Sequence, residues 1–225
     1  MFSSRSFMLQ KLHNVFRIIL DAVFPLRCAG CGNFGVLCCA VCMNTLNVQM
    51  KTVCVSSFPK EFRVMSCVDF KHELISSLMH AFKYEGMREA RVYFAEMFQK
   101  IPSPARAYLQ EYESIMPVPL HSRRICERGY NQNLLIAQSC FEKEKIDNTS
   151  LARVRYTDSQ TGLTKGARAK NIAGCFQVLR PADVRGRTIL LVDDVVTTGA
   201  TMKECARVLF EAGARDVQGF AFAWD

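Results

Sequence analysis

Two adjacent carboxylates, Asp193 and Asp194, follow an apolar run and precede a segment rich in hydroxyl groups. The apolar run, residues 188–192, is typical of a strand that is buried on both faces. The hydroxyl-rich segment opens a predicted helix near residue 200, and backbone N–H groups at a helix N-terminus bind phosphate. We therefore predict a phosphate site in this segment, formed by Val195, Thr197, Thr198, Gly199, Ala200 and Thr201.

The two carboxylates need partners of their own, because negative groups beside a bound phosphate repel it. Vicinal ribose hydroxyls and a hydrated Mg²⁺ ion are partners that suit Asp193 and Asp194. The ligand indicated by these residues is a ribose phosphate with a metal ion. Since both carboxylates end a strand at a ligand-facing edge, replacing both by Asn is expected to weaken binding and to leave the fold intact. The alternative is an ordinary buried strand that ends in acidic residues.

Four of the eleven cysteines form two Cys-x-x-Cys pairs, Cys28 with Cys31 and Cys39 with Cys42. Four thiolates at tetrahedral corners suit structural Zn²⁺ and leave no open position for catalysis. We predict one structural zinc ion held by these four residues. An iron–sulfur cluster also uses four thiolates, and buried free thiols are a third interpretation. Cys38 is an alternative ligand to its neighbour Cys39.

The composition is that of a globular protein, because 49% hydrophobic and 22% charged residues exclude extensive disorder. The formal net charge of +8 favours an anionic partner, whether nucleic acid, a phosphorylated metabolite or a membrane surface. An odd number of cysteines argues against a complete set of intramolecular disulfides. We therefore expect a cytoplasmic protein with reduced thiols.

The first 26 residues predict an amphipathic helix, because Leu12, Phe16, Ile19 and Val23 recur at helical spacing. The apolar stretch is too short to span a bilayer. Its apolar face either packs on the rest of the protein or attaches peripherally to a membrane.

Strands alternate with helices in the rest of the chain, which predicts an α/β fold with a parallel sheet flanked by helices. We assign residues 1–55 to the amphipathic helix and the cysteine segment, and residues 56–225 to the α/β domain. Strands are predicted near 63–70, 114–118, 151–155, 175–178, 188–192 and 217–222, and helices near 73–84, 89–100, 131–141 and 200–212.

The segment from Ile189 to Thr201 resembles, position by position, the phosphoribosyl-pyrophosphate motif of type I phosphoribosyltransferases. The resemblance implies a type I phosphoribosyltransferase fold behind the zinc-binding segment. It also implies that Asp193 and Asp194 hold the ribose hydroxyls, while residues 197–201 hold the 5′-phosphate.

Further positions resemble one family, the ComF family, from about residue 12 to the C-terminus. The matching positions are 117–121, 128–132, Gln160, Leu163, Arg168, Asn171 and the cysteine pairs. The resemblance implies phosphoribosyl pyrophosphate with Mg²⁺ as ligand and a role in DNA uptake during natural transformation. Single-stranded DNA and proteins of the DNA-uptake machinery are the partners that follow from it.

Basic residues fall in segments that similar enzymes use for pyrophosphate. We assign Arg123, Arg124 and Arg128 to phosphoribosyl-pyrophosphate binding, and Arg168 to catalysis with Asp193 and Asp194. Guanidinium groups stabilise the charge that develops on departing pyrophosphate. The alternative is a solvated basic surface.

Two functions stay open at this point. The first is a phosphoribosyl-pyrophosphate-binding protein that handles single-stranded DNA. The second is an active phosphoribosyltransferase on an unknown small-molecule acceptor. Thr197 stands where purine-salvage relatives carry an acidic general base, which argues against purine salvage. It does not argue against transfer to a nucleophile that needs no base.

Overall fold

The computed structural model describes residues 25–56, 59–157 and 171–225. The predicted N-terminal amphipathic helix and Arg168 lie outside the described residues. The chain divides into two compact units between Thr45 and Leu46. Our sequence-based boundary at residue 55 falls ten residues later, within a strand that pairs inside the larger unit.

The smaller unit, residues 25–45, consists of tight turns and one short helix, α1 (Ala40–Asn44). Arg27 and Phe34 form an isolated antiparallel bridge, and the Ala29 N–H donates to the Leu37 carbonyl at 2.8 Å. Buried hydrophobic residues are few in the described part of this unit, namely Cys28, Leu37, Cys38 and Met43. Apolar burial alone therefore gives this unit little stability.

Five strands of the larger unit form one sheet within the described residues, in the order β1-β2-β7-β6-β3. Strands β2, β7, β6 and β3 run parallel, and β1 is an antiparallel edge strand. A separate antiparallel pair is formed by β4 and β5. The bounds are β1 Lys51–Ser56, β2 Phe62–Asp69, β3 Ser114–Pro117, β4 Leu151–Arg153, β5 Phe176–Val178, β6 Thr188–Val196 and β7 Asp216–Trp224.

Helices connect these strands, as a parallel sheet requires. Their bounds are α2 Glu73–Tyr84, α3 Arg91–Lys100, α4 Ser103–Gln110, α5 Ser122–Arg128, α6 Gln132–Cys140, α7 Pro181–Val184 and α8 Ala200–Glu211. Short 3₁₀ turns lie at Arg88–Ala90 and Lys143–Lys145. The α/β class with a mostly parallel sheet flanked by helices, predicted from the sequence, is confirmed.

Side chains of β7 show how both faces of the sheet are covered. Phe220 and Phe222 point to one face, where Phe222 packs edge-on against Phe94 of α3 with ring centroids 5.3 Å apart. On the opposite face a Cβ at Gly219 would lie 2.9 Å from Met202 Cε of α8. This glycine therefore lets α8, the helix that follows the hydroxyl-rich loop, pack closely on the sheet.

The loops that follow β3 and β6 lie side by side, because parallel neighbours end at the same edge of a sheet. The Val118 N–H donates to the Val192 carbonyl at 2.8 Å, which continues the pairing of the two strands to this edge. The carboxylates of β6 are thereby placed next to the segment 118–133.

Candidate functional site

The loop between β6 and α8 has the geometry of an anion cradle. Gly199 has φ +71° and directly precedes α8, and it has no side chain to cap the backbone N–H groups of the first helical turn. The Ala200 N–H donates to Thr198 Oγ1 at 3.4 Å. A Cβ at this position would lie 2.7 Å from Cys54 Sγ of β1, which explains the glycine. The loop encloses a pocket of about 30 Å³, lined by Asp193, Val195, Val196, Thr197, Thr198, Gly199, Ala200, Thr201 and Met202.

Asp193 is one of the residues that line this pocket. Its Oδ1 accepts a hydrogen bond from Asn133 Nδ2 at 2.8 Å and another from the Asp194 N–H at 3.0 Å. Burial and the neighbouring Asp194 charge raise the pKa of Asp193 to about 7, although the Lys83 ammonium opposes the shift. Asn133 Oδ1 is buried without a hydrogen-bond partner in the described part of the chain. An acceptor therefore remains open beside Asp193 for a hydroxyl or water donor.

Asp194 is in a different environment, because it is buried and already has partners. Its Oδ2 accepts from Gln132 Nε2 at 2.8 Å, and its Oδ1 forms an ion pair with Lys83 Nζ at 2.8 Å. Only 4% of the residue is exposed. Asp193 lines the loop pocket, whereas Asp194 connects the strand to α2 and α6. That both carboxylates hold the ligand stays a prediction.

The N-terminus of α6 holds these amide partners in place. Asn131 precedes the helix, and its Oδ1 accepts from the Asn133 N–H at 3.0 Å. Its Nδ2 donates to the Val118 carbonyl at 3.2 Å, and Asn133 Nδ2 donates to the same oxygen at 3.1 Å. The loop after β3 is thereby fixed to the helix that carries Gln132 and Asn133.

The three candidate arginines before this helix do not act as one group. Arg123 donates through Nε to Glu127 at 3.0 Å and lies over the Tyr156 ring, with its Cζ 4.7 Å from the centroid. Arg128 donates to Gln132 Oε1, which connects it through Gln132 to Asp194. Arg124 is half-buried and forms no ion pair with any described residue.

Residues that our sequence analysis did not single out complete the arrangement. Lys83 in the last turn of α2 reaches Asp194, and a lysine there is ordinarily explained by the helix dipole. Arg153 of β4 donates to Thr157 Oγ1 at 2.6 Å, and its buried Nε has no partner among the described residues. Burial lowers the pKa of Arg153. No sequence pattern distinguishes this arginine from its neighbours.

In the smaller unit the four predicted zinc ligands come together. The Sγ atoms of Cys28, Cys31, Cys39 and Cys42 all lie within 4.8 Å of one another. Zinc–sulfur bonds of about 2.3 Å at tetrahedral angles place sulfurs about 3.8 Å apart, and the Cys31 and Cys39 sulfurs lie 3.7 Å apart. Cys38 is not part of the cluster, since its buried thiol donates to the Cys39 carbonyl.

Backbone N–H groups stabilise a thiolate at Cys28, whereas hydrogen bonds with the neighbouring sulfurs of Cys39 and Cys31 raise the pKa of Cys42. The Cys39 N–H donates to Cys28 Sγ at 3.3 Å, and the Cys42 N–H donates to Cys39 Sγ at 3.5 Å. Burial raises the pKa of Cys28, but N–H groups of Cys31, Cys39 and Gly30 outweigh it and lower the pKa to about 6. Because the thiolate is the metal-binding form, this cluster fits a metal ion such as zinc.

Within the described ranges, no helix combines the length and apolarity needed to cross a bilayer.

A parallel sheet with this carboxylate pair and hydroxyl loop at its carboxyl edge defines a phosphoribosyltransferase-like protein. Residues 142–225 match the family model described as "Phosphoribosyl transferase domain". The DNA utilization protein YhgH of Salmonella typhimurium is 34% identical over 169 residues, which cover 73% of each chain. Competence protein F of Haemophilus influenzae is 35% identical over 114 residues, which cover 49% of this chain and 50% of that protein. Competence protein ComFC of Bacillus subtilis is 28% identical over 150 residues, which cover 66% of this chain and 59% of that protein.

The chain belongs to the ComF family of proteins with a phosphoribosyltransferase domain. The family and the fold class that we predicted from the sequence are confirmed. Lys83, Arg128, Gln132 and Asn133 precede residue 142, so the residues that surround the carboxylates lie in part outside the matched domain.

Proposed function

We propose that this protein binds 5-phosphoribosyl-1-pyrophosphate with Mg²⁺ and handles single-stranded DNA in the cytoplasm during DNA uptake. The observation that carries the first part is the loop pocket beside Asp193, with its hydroxyls and helix N-terminus. The names of the relatives, DNA utilization protein and competence protein, support the second part.

The residues present fit the ligand. The N–H groups of α8 and the hydroxyls of Thr197, Thr198 and Thr201 suit a 5′-phosphate. Asp193 and the open Asn133 Oδ1 suit the ribose hydroxyls or the water shell of a magnesium ion. The magnesium ion supplies positive charge to the pyrophosphate and is held largely by substrate oxygens and water.

Replacing Asp193 by Asn tests this proposal. The change keeps the shape of the side chain but removes a charged acceptor, and losing such a hydrogen bond typically costs about 1.5–3 kcal/mol. We expect at least about a tenfold loss of affinity for phosphoribosyl pyrophosphate with Mg²⁺ in titration calorimetry. Asp216→Asn, at the start of β7 on the opposite edge, is the matched control. Equal affinities for wild type and Asp193→Asn would contradict the assignment.

Phosphoribosyl transfer to an unknown small-molecule acceptor is the second candidate. Arg128 and Arg124 favour it, since such donors stabilise pyrophosphate as the C1–O bond breaks. Arg168, outside the described residues, remains our proposed catalytic cation. Incubation with labelled phosphoribosyl pyrophosphate, Mg²⁺ and single-stranded DNA tests turnover directly. Release of pyrophosphate together with label on the DNA supports a transferase that uses DNA as acceptor, and release without labelled DNA indicates hydrolysis. Binding without release supports a binding protein.

The cysteine cluster is proposed to hold one structural Zn²⁺ ion through Cys28, Cys31, Cys39 and Cys42, because their sulfurs lie within 4.8 Å of one another.

The family resemblance supports partner proteins in the DNA-uptake machinery. Peripheral membrane contact through the first 26 residues is a further proposal.

Weak, sequence-independent binding of single-stranded DNA is expected from the basic residues after β3. Three to five engaged phosphates give a slope of about −2 to −3.5 for log affinity against log salt. The double reversal Arg123→Glu with Arg124→Glu is expected to lower the affinity and flatten this slope. Arg185→Glu with Arg187→Glu, exposed residues before β6, makes the same charge change at the other end of the sheet and serves as control.

Fluorescence anisotropy at several salt concentrations measures the affinity for single-stranded DNA and its dependence on salt. Binding that does not change with salt would exclude the electrostatic account. Equal losses in the two double variants would show that only net charge matters and that the segment after β3 has no special role.

A further inference from the structure

A second pocket, which we call the basic pocket, lies between the C-terminal end of α2 and helix α5. Its cavity volume is about 260 Å³. The lining residues are Lys83, Tyr84, Gly86, Arg124, Glu127 and Arg128. All of them precede the matched domain, and none lines the loop pocket at Gly199. Lys83 connects the two regions through its ion pair with Asp194.

The charges in the basic pocket do not cancel. Lys83 is neutralised by Asp194, and Glu127 is neutralised by Arg123 at 3.0 Å. Arg128 is bonded to the neutral amide of Gln132, and neither Arg124 nor Arg128 has a carboxylate partner in the described part of the chain. Two uncompensated guanidinium groups therefore face one cavity. Their planar forks match the oxygens of a phosphate or a carboxylate.

Tyr84 adds a surface for a planar group. The residue is 66% exposed at the edge of the pocket, and Arg128 Cζ lies 5.4 Å from its ring centroid. An exposed aromatic ring next to arginine is the combination on which nucleobases stack, whatever their sequence. The volume lies just below the usual range for sites of drug-sized ligands, so the pocket suits one small unit. Stacked and paired bases of a duplex would not present such a unit.

We propose that the basic pocket binds one nucleotide unit, with its phosphate on Arg124 and Arg128 and its base against Tyr84. The unit is either a free nucleoside monophosphate or part of a single strand, since both present the same phosphate and base. This inference deepens the proposed handling of single-stranded DNA and rests on it. It shares Arg124 and Arg128 with the proposed contacts to pyrophosphate, so the experiment separates the two ligands through Tyr84 and Asp193.

Titration of the full chain with thymidine monophosphate and with an oligothymidylate of about eight nucleotides tests the proposal. Tyr84→Ala is expected to lower the affinity by a factor of about 5 to 150, the usual range for loss of one stacked base. Tyr84→Phe keeps the ring and should keep the affinity. Tyr108→Ala removes another half-exposed tyrosine, near the start of β6, and is the matched control.

The same samples are titrated with phosphoribosyl pyrophosphate and Mg²⁺. We expect Tyr84→Ala to bind this ligand with the same affinity as the wild type. Asp193→Asn should give the reverse pattern, so failure of one proposal is distinguishable from failure of the other. Weakening of both thymidine ligands by Tyr84→Ala supports a site for the nucleotide itself, and weakening of the oligomer alone supports a site for a strand unit. Unchanged affinity for both ligands in Tyr84→Ala and Arg124→Ala would overturn the inference.

Discussion

Removal of bound zinc by a chelator is expected to unfold residues 25–45 while residues 46–225 keep their hydrogen-exchange protection. The smaller unit buries only a few apolar side chains in its described part, which stabilise it by a few kcal/mol. Structural zinc contributes about 10–16 kcal/mol in small zinc-binding peptides. Hydrogen exchange followed by mass spectrometry, with and without chelator, measures the two units in one experiment.

A matched pair of variants separates metal binding from packing. Cys39→Ser replaces a sulfur of the cluster, whereas Cys38→Ser replaces the adjacent buried sulfur that bonds to the Cys39 carbonyl. We expect Cys38→Ser to retain one zinc per chain and Cys39→Ser to lose affinity or metal. Metal analysis without zinc, or an iron–sulfur absorption spectrum after anaerobic purification, would contradict the zinc assignment. If Cys38→Ser loses zinc and Cys39→Ser keeps it, Cys38 is the zinc ligand and Cys39 is not.

Local sequence patterns predicted the central strand and the following helix well, because burial and turn chemistry act over a few residues. The apolar run 188–192 lies in β6, but the strand continues to Val196, since Asp194 is buried by partners from other elements. Helix α4, which begins between Pro102 and Pro104, was not predicted, and proline inside a helix usually breaks it. Proline is nevertheless favourable in the first turn of a helix, where its missing N–H costs nothing.

The candidate site was predicted as far as its residues are consecutive. Residues 193–201 run without a break from the end of β6 through the loop into the first turn of α8, so a single stretch of sequence reveals them. Lys83 and Asn133 come from helices 111 and 61 positions before Asp194, and only the folded chain brings them to the carboxylates. The pairing of Asp194 with Lys83 was therefore not predictable, and it changes what each carboxylate is expected to do.

Asp194→Asn is expected to destabilise the protein, in contrast to our expectation from the sequence that the fold would remain intact. The substitution leaves the Lys83 ammonium, only 20% exposed at its side chain, without its charged partner. Removal of one member of a buried ion pair typically costs about 3–5 kcal/mol. Asp193→Asn, whose carboxylate lies at the loop pocket, should cost much less. Denaturant unfolding of the two single variants measures the difference.

The double variant Lys83→Met with Asp194→Asn identifies why Asp194→Asn loses stability. If the cost of Asp194→Asn comes from an unpaired buried ammonium, removing that ammonium should restore much of the lost free energy of unfolding. The alternative is that the double variant loses as much free energy of unfolding as Lys83→Met and Asp194→Asn lose together as single variants. Asp194 would then stabilise the fold mainly through Gln132. Calorimetry on the restored double variant then shows whether Asp194 also contributes to phosphoribosyl-pyrophosphate binding. A large loss of affinity in a stable protein would assign Asp194 to the ligand as well as to the fold, and wild-type affinity would leave Asp193 as the carboxylate that binds it.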